Sequence, residues 1–248
     1  MTRAPVITVK GTPLSSALLR RLRGVRVAAR LNRPTQCELT FATGPGAGAE
    51  LDPFPLGAAL TVRLDGDTDD LFAGEVTGFE VEYAEDGAAE LRARAYDGLH
   101  RLRKRQELRV FEGVTAADLA GQLAGAVGLS VDADEDGPRV ERLLQHRHTD
   151  FDLLLDVAGR AGLHLAADGA TLRLITLDGY GVPVPLKLGG SLLSLRVAAN
   201  LDQGAGDSAA LGWHPQRAEA FSEVAGRARS WRKKALRPDP ADVGADGD

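Results

Sequence analysis

His146 and His148 fall on one face of an extended chain, an acceptable spacing for two metal ligands. No third ligand lies near them in sequence, and Arg147 between them would repel a cation, so the pair reads as surface histidines. Cys37, the single cysteine, sits in a strand pattern beside Glu38 and reads as a small buried thiol rather than a nucleophile. One cysteine also excludes an internal disulfide and a cysteine-rich zinc site. Gly44-Pro45-Gly46-Ala47-Gly48 has the glycines of a phosphate loop. It lacks the Lys-Ser/Thr pair, and Pro53 and Pro55 stand where the helix should start. The carboxylates of Glu80 and Glu82 alternate along a strand and most simply face solvent. No Gly-x-Ser-x-Gly turn or His-Glu-x-x-His helix occurs. The expectation is therefore no catalytic residue, no metal site, no cofactor-binding residue and no cofactor.

The elements that would position any site begin as β-structure. Val25, Val27, Ala29 and Leu31 alternate with polar or small residues, and Gln36 to Phe41 does the same before Gly44-Pro45-Gly46 interrupts it. The stretch 42–57 is rich in Gly, Pro and Ala. Leu60, Val62 and Leu64 predict another strand, closed by the turn Asp65-Gly66-Asp67. Phe72 to Tyr83 and Ala89 to Tyr96 predict a hairpin across Glu85-Asp86-Gly87. Short strands with frequent turns point to a small barrel or sandwich.

The pattern changes near Asp97. Thr115 and Asp118 form a T-x-x-D cap, Leu119, Leu123 and Val127 recur on one helical face, and Gly128 can end the helix. The arrangement recurs with Thr149 and Asp152 as cap, Leu153 and Val157 facing inward, and Gly162-Leu163 closing. Either the unit is duplicated, or two helices obey the same capping rules, which is the simpler reading. Leu163 to Ala166 and Thr171 to Ile175 then flank Asp168-Gly169, a hairpin signal. Strand character continues over Val182–Leu188 and Ser191–Asn200, with Pro183 and Pro185 suggesting an edge, and again at Ala209–Trp213. Beyond Glu219 a short helical or irregular basic stretch is expected around Trp231, and from Pro238 a flexible acidic tail or linker.

Composition narrows the functional classes. The 248 residues carry a net charge of −5, with 44% hydrophobic and 26% charged residues, the balance of a soluble globular protein. No apolar run approaches the ~20 residues that cross a bilayer, and the N-terminus lacks the pattern of a secretory signal. Synthesis in the cytoplasm without membrane insertion is expected. Charge is segregated: Arg20, Arg21, Arg23, Arg26, Arg30 and Arg33 all precede the first acid, Glu38. Basic clusters recur at 100–109 and 227–237, with acid at 65–70, 132–136 and 239–248. Such alternation can hold subunits in register, or can simply be solvated faces. The acidic total and an aromatic content of 5% oppose nucleic-acid binding.

Several phrases, in order, resemble one family. Phe54-Pro55-Leu56-Gly57, the strand Leu60 to Leu64, and Phe72-Ala73-Gly74-Glu75-Val76 resemble the opening domain of phage late control D and VgrG proteins. Arg94-Ala95-Tyr96-Asp97-Gly98-Leu99-His100-Arg101-Leu102 is similar to that family's strand-exit phrase, and Thr115 to Leu129 to its first capped helix. Gln145, Thr149, Asp150, Phe151, Asp152 and Leu153 sit as in its Q-Y-x-E-T-D-F-D-F-L phrase, and Leu211-Gly212-Trp213-His214-Pro215 resembles its G-W-D-P segment. His146 replaces the usual aromatic, while His148 and His214 replace acids.

The resemblance, which spans residues 24–215, implies a β-rich α+β fold: two barrel-like β domains of phage tail-hub type with an α/β insertion between them. The expected domains are 1–97, a tube-forming first barrel; 98–165, the α/β middle region; 166–237, a second barrel that looks incomplete; and 238–248, the tail. The closing strands of the second barrel and a spike's OB domain and β-helix are not recognisable. The hub is thus either part of a longer hub–spike chain or works with a separate spike. The implied function is a non-enzymatic structural hub of a phage tail or contractile injection system, resident in its baseplate. It would assemble as a homotrimer, adapting a threefold spike to a sixfold inner tube. The implied partners are the inner tube protein, a spike or spike-tip protein and other baseplate subunits, without nucleic acid. The competing readings are a hub-associated cell-wall hydrolase and a nucleic-acid-binding module.

Overall fold

Alternation of apolar and polar residues builds the first layer of the computed structural model, which describes residues 3–43, 54–85, 88–194, 196 and 207–226. Two units divide the chain, Met1–Gly179 and Tyr180–Asp248. The first unit opens with β1 (Pro5–Val9), β2 (Thr12–Pro13), the one-turn helix α1 (Ser16–Leu19), β3 (Leu22–Ala28), β4 (Gln36–Thr43), β5 (Ala59–Leu64), β6 (Phe72–Tyr83) and β7 (Ala89–Tyr96). The seven strands form an antiparallel sheet in the order β2-β1-β5-β6-β7-β4-β3. In β4 and β7, Cys37, Leu39, Phe41, Leu91, Ala93 and Ala95 are wholly buried on one face. Glu38, Arg92 and Arg94 occupy the other face, where Arg94 reaches Glu38 at 3.0 Å and Glu80 at 2.8 Å. Solvent screens such exposed pairs, so they fix register more than they stabilise. The inner face gathers Ile7, Leu60, Phe41 and Phe54 into one core, the two phenylalanine rings 5.4 Å apart. Register shifts at Leu22/Gly24 and Val76/Gly78 bend the sheet into a curled half-barrel.

The middle region is built differently. A 3-10 helix (Gly98–Lys104) leads into β8 (Arg109–Val114), α2 (Ala116–Gly125), β9 (Ser130–Ala133), β10 (Val140–Gln145), α3 (Asp150–Arg160), β11 (His164–Asp168) and β12 (Thr171–Ile175). Both helices start where the caps predict. The Thr115 hydroxyl accepts from the Asp118 amide at 3.1 Å, and Asp118 accepts from the Thr115 amide at 3.0 Å, a complete capping box. Thr149 accepts from the Asp152 amide at 3.1 Å. Gly128 and Gly162 turn left-handed after the helices, at φ 75° and 68°. Leu119, Leu123, Leu154 and Val157 project into one core with Leu99, Leu102 and the strand residues Leu165, Leu172 and Leu174.

β11 and β12 form the hairpin expected at 163–175, but β12 also pairs in parallel with β9. The hairpin therefore belongs to the middle region, whose core runs past the expected boundary at 165, because leucines of both strands pack under the helices. A clasp ties this region to the first sheet. Asn32, left-handed at φ 62° in the β3–β4 loop, donates its amide to the Leu165 carbonyl at 2.8 Å and accepts from the Leu165 amide at 2.9 Å.

In the second unit β13 (Asp207–His214) and β14 (Glu219–Gly226) form an antiparallel hairpin. Glu219–Gly226 is a strand, unforeseen in the sequence, that pairs along all of β13. Phe221 lies over Gly212, where any Cβ would collide with its ring, so the glycine of the G-W phrase is a seat for an aromatic cross-strand neighbour. The strand expected over Val182–Leu188 does not form, since Pro183 and Pro185 remove two ladder donors; one bridge, Leu188 to Leu192, remains. Residues 191–194 are likewise not a strand. The glycine run Gly44–Gly48, the remainder of the strand expected to Asn200, Trp231 and the tail 238–248 lie outside the described residues.

Candidate functional site

The residues singled out in the sequence, His146 and His148, Cys37, and Glu80 with Glu82, lie on separate elements. His146 and His148 are exposed in the turn before α3, and no cluster of three or more metal-ligating side chains occurs among the described residues. Cys37 is completely buried, and burial, reinforced by the neighbouring Glu38 charge, pushes its thiol up to about 12, so it stays protonated at neutral pH. Glu80 and Glu82 face solvent on β6 and are held by Arg94 and Arg92.

The phrases that carry the family resemblance instead build internal joints. Asp150, wholly buried, bonds Arg109 through one carboxylate oxygen and Arg105 at 3.2 Å through the other. Gln145 bridges the same group: its amide nitrogen donates to Asp150 at 2.8 Å and to the His148 carbonyl at 3.0 Å, and its oxygen accepts from Arg109 at 3.0 Å. The Q…T-D spacing thus places two buried polar side chains where each satisfies the other, which removes the cost of burying either alone. The arginines Arg105 and Arg109 were the part sequence reasoning missed; their signal was merely a basic cluster ahead of β8.

A second joint follows β7. Asp97 accepts from the Thr35 amide at 2.6 Å and the Leu99 amide at 2.9 Å, capping the 3-10 helix and holding the loop before β4. Burial raises its carboxyl above the usual range, against the lowering effect of those hydrogen bonds. His100 is buried beside it and donates from Nδ1 to the Asp97 carbonyl at 2.6 Å. In the F-A-G-E-V phrase, a Cβ on Gly74 would strike the Tyr96 carbonyl, so the motif glycine permits β6 to approach the end of β7.

What remains open is a border. β3 ends the strand order, and among the described residues no strand pairs with its second edge. Beside it runs a groove of about 390 Å³, lined by Val25 and Val27 of β3, by Val62 and Leu64 of β5, and by Pro5 and Leu71. On β6, Phe79 is 45% and Tyr83 63% exposed. An unpaired strand edge beside apolar side chains can template pairing with another chain. The arrangement sets an unpaired strand edge beside apolar side chains.

Residues 29–246 match the model of the family described as phage tail baseplate hub. No curated protein matches the sequence significantly. Among solved structures the chain is similar to the 43 kDa tail protein of prophage MuSo2 from Shewanella oneidensis. That match has a TM-score of 0.62 and 18% identity, covering 83% of this chain and 64% of that one. It is similar to the tail protein from Neisseria meningitidis MC58, with a TM-score of 0.62 and 14% identity over 94% of this chain and 69% of that one. A component of the type VI secretion system of Escherichia coli matches with a TM-score of 0.49 and 15% identity, covering 77% of this chain and 55% of that one. The chain thus spans 64% of the length of the Shewanella protein, and at these identities the likenesses establish the fold. With the family model spanning most of the sequence, and the motif residues accounted for as joints of a β-rich hub fold, the chain belongs to the phage tail baseplate hub family.

Proposed function

We propose that this hub protein works as a homotrimer in the baseplate of a phage tail or contractile injection particle, joining a threefold spike to a sixfold inner tube. The observation that carries the reading is the open border of the first sheet: β3 with an unpaired edge beside an apolar groove. Burying that border against a neighbour would satisfy amides and carbonyls and remove apolar surface from water. A closed ring of copies uses such a border without leaving a free end.

In this reading each chain contributes two similar β modules, the first sheet and a second one begun by β13 and β14, so three chains offer six positions to the tube. The partners are the inner tube protein, a spike or spike-tip protein and other baseplate subunits. The chain acts through geometry, without a catalytic residue, metal or cofactor of its own. No helix among the described residues is long and apolar enough to cross a membrane.

A cryo-EM map of the particle's lower end tests the reading. Three copies around the axis are expected, between a threefold and a sixfold layer. One copy or six would overturn it, as would lysis of peptidoglycan by the purified chain or salt-sensitive binding of DNA.

A further inference from the structure

Strand β6 is interior to the first sheet along only part of its length. β5 pairs with it over Phe72–Glu75 alone. Beyond the register shift at Val76/Gly78, β7 is its one strand neighbour among the described residues. Over that half the sheet is four strands wide, β6-β7-β4-β3, and its rows run straight across. Phe79 stands opposite Ala93, Ala93 opposite Leu39, and Leu39 opposite Val25; Val81, Leu91, Phe41 and Leu22 make a second row. The free side of β6 therefore lies at the same rows as the free side of β3. Residues directly opposite share a face, so Phe79, Val81 and Tyr83 continue the face on which Ala89, Leu91 and Ala93 are buried.

The backbone amides at both borders can be placed. Ala84 donates to the Ala88 carbonyl at 2.8 Å, across the β6–β7 hairpin. Main-chain groups alternate in direction along a strand, so those of Tyr83, Val81 and Phe79 point to the free side. On the other border, Ala42 of β4 donates to the Arg21 carbonyl at 2.8 Å. Glu38 and Gln36, an even number of positions from Ala42, also face β3 and engage Arg26 and Ala28, which leaves Val25 and Val27 pointing outward. None of these five amides has a partner among the described residues. The far end of the sheet is blunted instead: β2 is two residues long and ends in Pro13, and β1 begins at Pro5.

We propose that residues 77–83 of β6 form a second docking border, pairing antiparallel with an edge strand of a second copy. The inference rests on the ring reading above, which used the β3 border alone, and adds the side through which the ring closes. A second copy is the occupant because the two borders match each other in row, in apolar face and in direction. Three antiparallel steps separate β6 from β3, so copies set side by side bring opposite strand directions together, the pairing this sheet uses throughout. The number of borders also decides the closure. A module with one free border can finish as a two-fold pair, whereas two different borders join head to tail and a rotation closes them into a ring.

The test places the photo-crosslinking residue p-benzoylphenylalanine at Val81 of the full chain and assembles particles from a mixture of isotopically light and heavy copies. After irradiation, mass spectrometry should find crosslinked peptides that join a light copy to a heavy one. In parallel, Val81→Pro deletes an outward amide while leaving the β7 pairing in place, and should lower assembly about tenfold or more. Its urea midpoint should move far less than that of Glu82→Pro, whose amide serves β7. Should Val81→Pro lose its folding transition, the crosslink decides alone. Crosslinks confined to one chain, or made only to a different protein, would overturn the proposal, as would a folded Val81→Pro chain that assembles like its parent. Three copies per particle in those cases would leave the ring reading intact, and any other copy number would overturn both.

Discussion

The first sheet and the middle region spend similar apolar side chains on opposite ends. In the middle region, two helices lie on strands β9, β11 and β12, and the resulting core closes on itself around leucines that are almost wholly buried. Its charged residues turn inward in one place, where Asp150, Arg105, Arg109 and Gln145 satisfy one another. The first sheet buries one face, arrays ion pairs on the other, and leaves a border unfinished. On the proposed reading, the difference separates what the chain needs in order to fold from what it would use in assembly. Damage to the middle region should register as lost stability, and damage to the sheet border as lost association.

The largest effect should come from Leu123→Asp, which places an unpaired charge in the middle core at a cost on the order of 5 kcal/mol. Urea denaturation should show the cooperative transition gone or displaced to very low denaturant. Val25→Asp at the groove should shift the same midpoint by only about 1 kcal/mol while lowering assembly. Equal destabilisation by the two would break the comparison. Next, Arg109→Met leaves Asp150 with Arg105 as its remaining cation partner, beside Gln145, and should cost about 3 kcal/mol, the low end for a broken buried pair because one arginine stays.

Asp97→Asn should cost about 2 kcal/mol, since its two oxygens accept from two separate amides and asparagine can accept for only one. This position also has a pH signature. Burial raises the folded carboxyl, so its contribution to stability is present at low pH and is lost as pH rises through the raised value. The asparagine variant should lack that dependence. Thr115→Ala should have the smallest effect, about 1 kcal/mol from the lost cap. Its partner Asp118 has the opposite sign. Hydrogen bonds from Thr115 lower the carboxyl, so the capping contribution is present above the ordinary carboxylate range and fades as pH falls through the lowered value. A pH series of thermal melts on the two variants would separate them.

Much of this plan was legible in the residues because its signals are local. Caps at Thr115 and Thr149 mark helix starts through bonds spanning three residues, and alternation in Gln36 to Phe41 marks a buried face. Less legible were β1 and β2, which are short: β1 gains order from pairing with β5, more than fifty positions away in sequence, and β2 only from pairing with β1. The placement of the hairpin at 164–175 was hidden for the same reason, as its parallel partner β9 precedes α3. The phrase around Asp150 was visible as a pattern, but its meaning needed Arg105 and Arg109, which arrive from another element. A cleft lined by Arg26, Arg30, Arg33 and Arg103 was visible only as runs of charge, because Arg103 joins the other three through the fold rather than through the chain.

The clasp at Asn32 has a consequence for how the molecule grows. β11 is the last strand on its side of the three-stranded sheet, and without a cover it would offer a second place for foreign backbone to dock. One asparagine, turned left-handed, fills part of that place with its own main chain and side chain. If neighbours join through the β3 rim as proposed, cover at β11 keeps them from a second docking place, where their addition would turn a closed particle into an endless fibre.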